Sequence, residues 1–353
     1  MIKPRAFTKD IISWYKKNRR RLPWRQTHDP YKIWISEIML QQTTVATVIP
    51  YYKNWIRNFP TIKAVAQSPL PKILKAWQGL GYYQRAKNIH RTAKIVCDIY
   101  HARIPSDAKL LRKLPGFGPY TTGAVLSIAF DQREPIIDAN VRRVAMRLLA
   151  IKGIADTKKD GQILVLLDHV LPQREVGIFN QALMELGALV CRSKEPLCFS
   201  CPVKIHCLAY KKGWQDIIPA VPQRVFERIE AVVAVIQKGK RCFMQKRPAS
   251  GLLADLWEFP GGKIEEKESP KEALSRELKE ELGVSLICAK YFRTVKHAYT
   301  KFKVTLHVWL CEVTPMPGTD KTHKWISFPE FKKYPLPSAT AIIVESLKNT
   351  LSS

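Results

Sequence analysis

Acidic side chains are in short supply in this sequence: 30 Asp and Glu stand against 58 Lys and Arg, a formal net charge of +28 at pH 7. The deficit is uneven. Residues 227–353 hold 21 basic and 15 acidic residues, so residues 1–226 hold 37 and 15, a net of +22. A field of that sign and size favours a polyanion, with nucleic acid the first candidate; a solvated basic surface without a partner is the plainer alternative. Long apolar runs are missing too. Residues 123–130 and 231–236 fall far short of the roughly 20 residues that span a bilayer, and the opening MIKPRAFTKDIISW has no apolar core of the signal-peptide kind. The chain is therefore expected to be intracellular (cytoplasmic) and to have no membrane partner. It shows no internal repeats and no low-complexity segment. Its cysteines do not suit a small secreted disulfide framework: four of the eight crowd between Cys191 and Cys207, while Cys97, Cys242, Cys288 and Cys311 are scattered.

What is present falls into two textures, as suits a chain of 353 residues. Between Phe7 and Ala209, few runs alternate like strands. Apolar residues recur every three or four positions over residues 33–52, 71–77, 87–100, 120–130 and 140–150, which predicts helices punctuated by Pro and Gly. Residues 214–230, with Pro219, Pro222, Arg224 and Arg228, read as a connection. Beyond it, residues 231–237 and 241–246 predict a hairpin, 304–313 a further strand and 270–282 a helix. The expected division is residues 1–215, a linker at 216–228, and residues 229–353.

Two carboxylates stand out in the helical part. Asp29-Pro30 opens a helix in which Glu37 is flanked by Ile33, Trp34, Ile38 and Leu40, and forms one polar stripe with Gln41 and Thr44 at i, i+4 and i+7. A carboxyl walled by apolar groups tends to keep its proton, which is how a general acid is held ready near neutral pH; a structural Glu–Arg pair is the alternative. Asp138 sits between the apolar Ile136-Ile137 and a basic helix, where it serves at least as an N-cap. Between them, Leu114-Pro115-Gly116-Phe117-Gly118-Pro119 joins two predicted helices. Gly116 and Gly118 permit a tight turn, and the free N–H groups of the following helix suit a DNA phosphate.

The segments SEIMLQQT, GLGYYQRAKN, LPGFGPYTTGAV, IDANVRR and FNQALMELGA, in this order, resemble the MutY family of adenine DNA glycosylases, over nearly all of residues 7–210. The resemblance implies a mainly α helix-hairpin-helix glycosylase domain that removes adenine mispaired with 8-oxoguanine or guanine in double-stranded DNA, acting as a monomer. It implies that Glu37 protonates adenine and that Asp138 stabilises the sugar cation, electrostatically or through a covalent link, following the two-carboxylate logic of glycoside cleavage. Tyr120 stands where related bifunctional glycosylases carry a lysine, so no Schiff base forms by that route. A bifunctional glycosylase/AP lyase of endonuclease III type is the nearest rival. By the same resemblance, Asn140 organises the site, Gln181 contacts the flipped adenine, Arg25 lines the same pocket, and Gln42 and Tyr82 wedge into the duplex.

Cys191, Cys198, Cys201 and Cys207 suit zinc or a [4Fe–4S] cluster. A zinc ribbon usually carries two Cys-x-x-Cys knuckles and this segment has one; the spacing resembles the iron–sulfur loop of MutY and endonuclease III, which implies the cluster.

In the last third, Gly262, Glu268 and the run Arg276-Glu277-Leu278-Lys279-Glu280-Glu281-Leu282-Gly283-Val284 match the Nudix box. Glu277, Glu280 and Glu281 recur at helical spacing and suit Mg²⁺. The resemblance implies an α+β Nudix-like domain similar to MutT. In the MutY family this domain usually lacks the box and reads 8-oxoguanine through a Phe-Ser-His loop. Here Tyr299-Thr300-Lys301 stands in its place, so recognition is expected through Tyr299 and Thr300. The intact box leaves a nucleotide pyrophosphatase, a vestigial metal site and a charged surface helix all open.

Overall fold

The computed structural model describes residues 2–222, 226–299 and 302–351. The chain forms two compact units: Met1–Gln67 with Asn88–Gln223, and Ser68–Lys87 with Arg224–Ser353. In chain order the helices of the first half are α1 (Pro4–Asn18), α2 (Pro30–Leu40), α3 (Val45–Asn58), α4 (Ile62–Gln67), α5 (Leu70–Trp77), α6 (Gln84–Ile99), α7 (Ala108–Arg112), α8 (Pro119–Phe130), α9 (Ala139–Leu148), α10 (Asp160–Val170), α11 (Val176–Leu189) and α12 (Leu208–Lys211). Of these, α5 and the first turn of α6 belong to the second unit.

Unit one is helical, and its middle helices are apolar on nearly every side. In α8, every residue from Thr121 to Ile128 is buried, and in α2 every residue from Ile33 to Met39. A helix without a polar face has to sit inside others. The larger core joins Phe7, Ile11 and Tyr15 of α1 to α9, α10 and α11; a smaller one joins Ile33 of α2 to Ala124 and Ile128 of α8.

The expected single helix over 33–52 is broken. It ends at Leu40, Gln41 turns out (φ −59°, ψ 115°), Gln42 is left-handed (φ +57°), and α3 restarts behind Thr44, whose hydroxyl accepts from the Thr47 N–H. Threonine hydroxyls compete for backbone donors, and here the capping arrangement wins over helix continuation. Glu37, Gln41 and Thr44 are therefore not one stripe; Gln41 and Gln42 lie on the turn.

Unit two is α+β. Its strands are β1 (Glu227–Lys238), β2 (Arg241–Lys246), β3 (Trp257–Glu258), β4 (Ser285–Tyr299), β5 (Phe302–Thr314) and β6 (His323–Ser327), with helices α13 (Pro270–Leu282) between β3 and β4 and α14 (Ser338–Leu351) at the end. The expected hairpin forms, but β1 and β2 pair only beside their turn, at Gln237↔Cys242 and Lys238↔Arg241. From Glu227 to Ile236, β1 instead runs parallel to β5, which pairs antiparallel with β4; β2 pairs with β3 and β6. Both faces of β1 are covered. Val233 and Val235 pack with α14 residues, while Val232, Ala234 and Ile236 pack with Leu274 and Leu278 of α13. That two-sided burial explains an unbroken apolar strand where a one-sided sheet would alternate.

Close helix contact in unit one depends on glycine. A Cβ on Gly187 of α11 would lie 2.6 Å from the Cβ of Asn140 in α9, whereas one on Gly161 of α10 would meet nothing within 4 Å. Helical Gly→Ala normally stabilises by about 0.5–1 kcal/mol. Gly161→Ala is expected to raise the thermal midpoint and Gly187→Ala to lower it, because overpacking exceeds the propensity gain. A rise for both in thermal denaturation would contradict this packing.

Candidate active site

The site in unit one grows from α2. Its N-cap Asp29 accepts from the Tyr31 and Lys32 N–H groups, and Pro30 holds the first turn. Two turns on, Glu37 is 4% exposed. The turn before α8 is held against the same helix: Phe117 stacks on Trp34 with centroids 5.3 Å apart. This places Tyr120, in the first turn of α8, with its hydroxyl donating to Glu37 Oε2. Burial pushes the Glu37 pKa from 4.5 to about 7, helped by the charge of Asp138 and opposed by the Tyr120 hydrogen bond and Arg25. The Tyr120 hydroxyl is itself pushed well above its usual value, by burial first and then by Glu37 and Asp138. It stays a neutral donor, which leaves Oε1 of Glu37 to carry a proton.

Asp138 is the N-cap of α9. Its Oδ1 accepts from Val141 N–H at 2.6 Å and its Oδ2 from Asn140 Nδ2 at 2.9 Å. Burial raises its pKa, while these donors and Arg143 pull it down. Arg143 donates to Asn140 Oδ1 (2.9 Å), to the Gly187 carbonyl (2.8 Å) and to the Cys191 carbonyl (2.8 Å). A chain of hydrogen bonds thus runs from the cysteine segment to Asp138.

Glu37, Tyr120, Asp138, Asn140, Arg25, Gln42 and Gln181 line one cavity of about 560 Å³. Gln181 Oε1 accepts from the Tyr15 hydroxyl at 3.0 Å. Three of its neighbours are residues that the sequence reading passed over. Glu185 of α11 is fully buried and holds two arginines: Arg20 through its N–H, Nε and Nη2 at 2.9, 2.9 and 2.7 Å, and Arg25 through Nη2 at 2.7 Å. Burial would raise the Glu185 pKa, but these donors take it down to about 2. The signal was available: like Glu37, Glu185 is a lone acid in an apolar helix. Met184, whose sulfur lies 3.8 Å from the Tyr120 hydroxyl, and Trp24 carry no such signal.

The remaining candidates lie outside this cavity. Gly116 takes the left-handed conformation expected of a turn (φ +85°), and Thr92 of α6 donates to the neighbouring Pro115 carbonyl. Gly118 does not need its freedom to turn: its φ is −79°, it caps α8, and a Cβ there would meet open space. Tyr82 belongs to unit two, is 41% exposed at φ +48°, and has the Arg85 guanidinium 5.4 Å from its ring centroid.

Cys191, Cys198, Cys201 and Cys207 are partly buried thiols. Arg147 Nη1 donates to Cys191 Sγ at 3.3 Å, and Cys207 Sγ faces the Arg147 carbonyl at 3.4 Å. Burial, then the neighbouring cysteines, push up the Cys198 thiol; burial chiefly takes Cys201 to about 12.

In unit two, Arg276 binds Glu268, Glu277 Oε1 (2.9 Å) and Glu280 Oε2 (3.2 Å), while Glu281 accepts from Gly261 N–H (3.0 Å) and Gln245 (2.9 Å). Among the described residues, no group of three or more His, Cys, Asp or Glu is placed to hold a single metal ion. Tyr299 ends β4, paired with Phe302; its side chain, and all of Thr300, lie outside the described residues.

A titration test follows from the cavity. If Glu37 delivers a proton and Asp138 acts ionised, the single-turnover rate should be bell-shaped, falling above about pH 7 as Glu37 ionises and falling at acid pH as Asp138 takes up a proton. The stability sign runs the other way from that of a paired carboxylate. Folded Glu37 holds its proton more tightly than the unfolded chain does, so stability declines as pH rises between 4.5 and about 7, by on the order of 3 kcal/mol from this group. Glu37→Gln should flatten that slope in denaturant titrations; an unchanged slope would contradict the shifted acid.

Known proteins match this chain in two stretches. Residues 35–167 match the family model described as HhH-GPD superfamily base excision DNA repair protein, and residues 231–346 the NUDIX domain. The chain is 41% identical to the adenine DNA glycosylase of Buchnera aphidicola subsp. Schizaphis graminum (strain Sg), over 72% of this chain and 74% of that one. It is 32% identical to the Homo sapiens adenine DNA glycosylase, over 92% and 71% respectively. Among solved structures, a thermostable thymine-DNA glycosylase aligns at TM-score 0.54 and 29% identity, covering 59% of this chain and 97% of that one. A non-covalent endonuclease III–DNA complex aligns at TM-score 0.51 and 24% identity, covering 60% and 99%, a likeness of fold. With relatives at this identity matched over most of both chains, the chain belongs to the adenine DNA glycosylase family.

Proposed function

We propose that the chain is a monofunctional adenine DNA glycosylase, acting as a monomer on adenine opposite 8-oxoguanine or guanine in double-stranded DNA, wherever in the cell that DNA lies. The observation that carries this reading is the pairing across one cavity of a buried acid with pKa about 7 and a carboxylate fixed as a helix N-cap. In the proposed step, Glu37 gives its proton to the adenine ring as the C1′–N bond breaks, the electron pair leaving with the base. Asp138, fixed by Val141 and Asn140, stabilises the cationic sugar, and water completes hydrolysis. Tyr120 holds Glu37 and offers no amine for a Schiff base, which disfavours the lyase alternative. Arg25 and Gln181 would face the flipped base. The left-handed Gln42 and Tyr82 suit wedging side chains, since such backbone strain collects at functional positions. Gly118 leaves the α8 N-terminus open to a phosphate beside Gly116.

In this reading residues 1–215 carry catalysis and 229–353 read the opposite base through Tyr299 and Thr300, with 216–228 between. The cysteine loop at 191–207 fits a [4Fe–4S] cluster: four thiols of one short segment sit within electrostatic range of one another, and an arginine N–H donates to one sulfur. When bound, the cluster would supply four sulfur–iron bonds that staple the loop, and Arg143 would pass that rigidity to Asn140 and Asp138. Mg²⁺ at Glu277, Glu280 and Glu281 fits less well. Arg276 engages the first two, and Glu281 is turned to Gly261.

On a duplex with adenine opposite 8-oxoguanine, single-turnover reaction is expected to release adenine and leave a strand that breaks only after alkali; breakage without alkali would overturn the monofunctional reading. Glu37→Gln should slow release by about 100-fold or more with duplex binding retained, and unchanged release would remove Glu37 from its role. Purified protein should contain iron and acid-labile sulfide in equal amounts; zinc instead would reverse the cluster assignment.

A further inference from the structure

Unit one holds another cavity, of about 650 Å³, which shares no lining residue with the catalytic pocket. One wall is a face of α1 and the other is the chain from His169 to Glu175, which joins α10 to α11. The floor is preformed, since the Thr8 hydroxyl donates to the Val170 carbonyl at 2.7 Å, tying the walls together. Pro4, Ile12 and Pro172 give it apolar, half-buried surface. The rims are cationic on both sides, with Arg5, Lys9 and Lys16 along α1 and Arg174 opposite, beside the His169 ring. Glu175 is the one acid among the lining residues, and Lys16 already binds it at 2.7 Å.

We propose that this groove docks an extended acidic segment of a partner protein, its apolar side chains on the floor and its carboxylates between the two basic rims. Charge complementarity selects an anionic occupant. The floor then favours a peptide over single-stranded nucleic acid: Phe, Tyr and Trp are absent from the lining and only the His169 ring could stack on an unpaired base, while prolines and an isoleucine suit aliphatic side chains. The groove would serve recruitment, because Glu37 and Asp138 line a different cavity.

Fluorescence anisotropy on the full chain, with a short fluorescein-labelled peptide alternating glutamate and leucine, tests this. Saturable binding is expected, weakened about tenfold or more by the Arg5→Glu/Lys9→Glu pair and by Arg174→Glu alone, for a loss of about 1.4 kcal/mol or more. Thermal midpoints and single-turnover base release should stay at the parent level. A control pair elsewhere on unit one, Arg91→Glu/Lys94→Glu, should leave binding intact. Three outcomes would overturn the proposal: equal weakening by the control pair, equal binding of a glutamate–serine peptide, or tighter binding of single-stranded oligothymidylate that the same rim variants abolish. The last would make the groove a nucleic-acid site.

Discussion

A carboxyl group taken out of water must find a cation or keep its proton, and the first unit is arranged so that Glu37 does the second. Arg25, which lines the same cavity, is the one cation among the influences on Glu37. Left free to pair, it would hold Glu37 ionised and useless as an acid. It is instead bound at 2.7 Å by Glu185, which also takes Arg20, so Arg25 acts on Glu37 only as the smallest of its four influences. Glu185 thus occupies the arginine that would otherwise be free to pair with Glu37. The buried cluster of one acid and two arginines need not add net stability to have this effect.

Asp138 has the opposite requirement and the opposite solution. It has to be an anion at the pH where Glu37 is an acid; burial raises its pKa, and the neutral donors Val141 N–H and the Asn140 amide work against that rise. That amide is oriented by Arg143, whose other bonds reach Gly187 and Cys191. The close approach of α11 to α9 that Gly187 permits is therefore part of the site's geometry. So is the cysteine segment, although none of its thiols lines the cavity.

Much of this was legible in the chain because it is local. A lone acid among apolar residues, an aspartate before a basic helix, a Pro-Gly-Phe-Gly turn and four crowded cysteines are each visible within one short window. The helix over Pro270–Leu282 falls where the pattern places it, with the Ser269–Glu272 capping box and Gly283 closing its end. What was not legible depends on residues far apart. The break at 41–44 follows from threonine hydroxyls finding backbone donors that a periodic pattern cannot rank against helix continuation. The grouping of Ser68–Lys87 with the sheet unit rests on pairs such as Lys87 with Asp255, at 2.7 Å across 168 positions. The pairing of Arg20 and Arg25 with Glu185 spans 165 and 160 positions.

The same physics sorts the acids of the second unit. Glu277 and Glu280 share Arg276, as Arg20 and Arg25 share Glu185. Glu281 is different. Its side chain is exposed, desolvation and the charge of Glu277 raise its pKa, and its neutral donors, the Gly261 N–H and the Gln245 amide, lower it. Glu37, by contrast, is buried. Arg276 would first have to leave Glu277 and Glu280 before the three could act together.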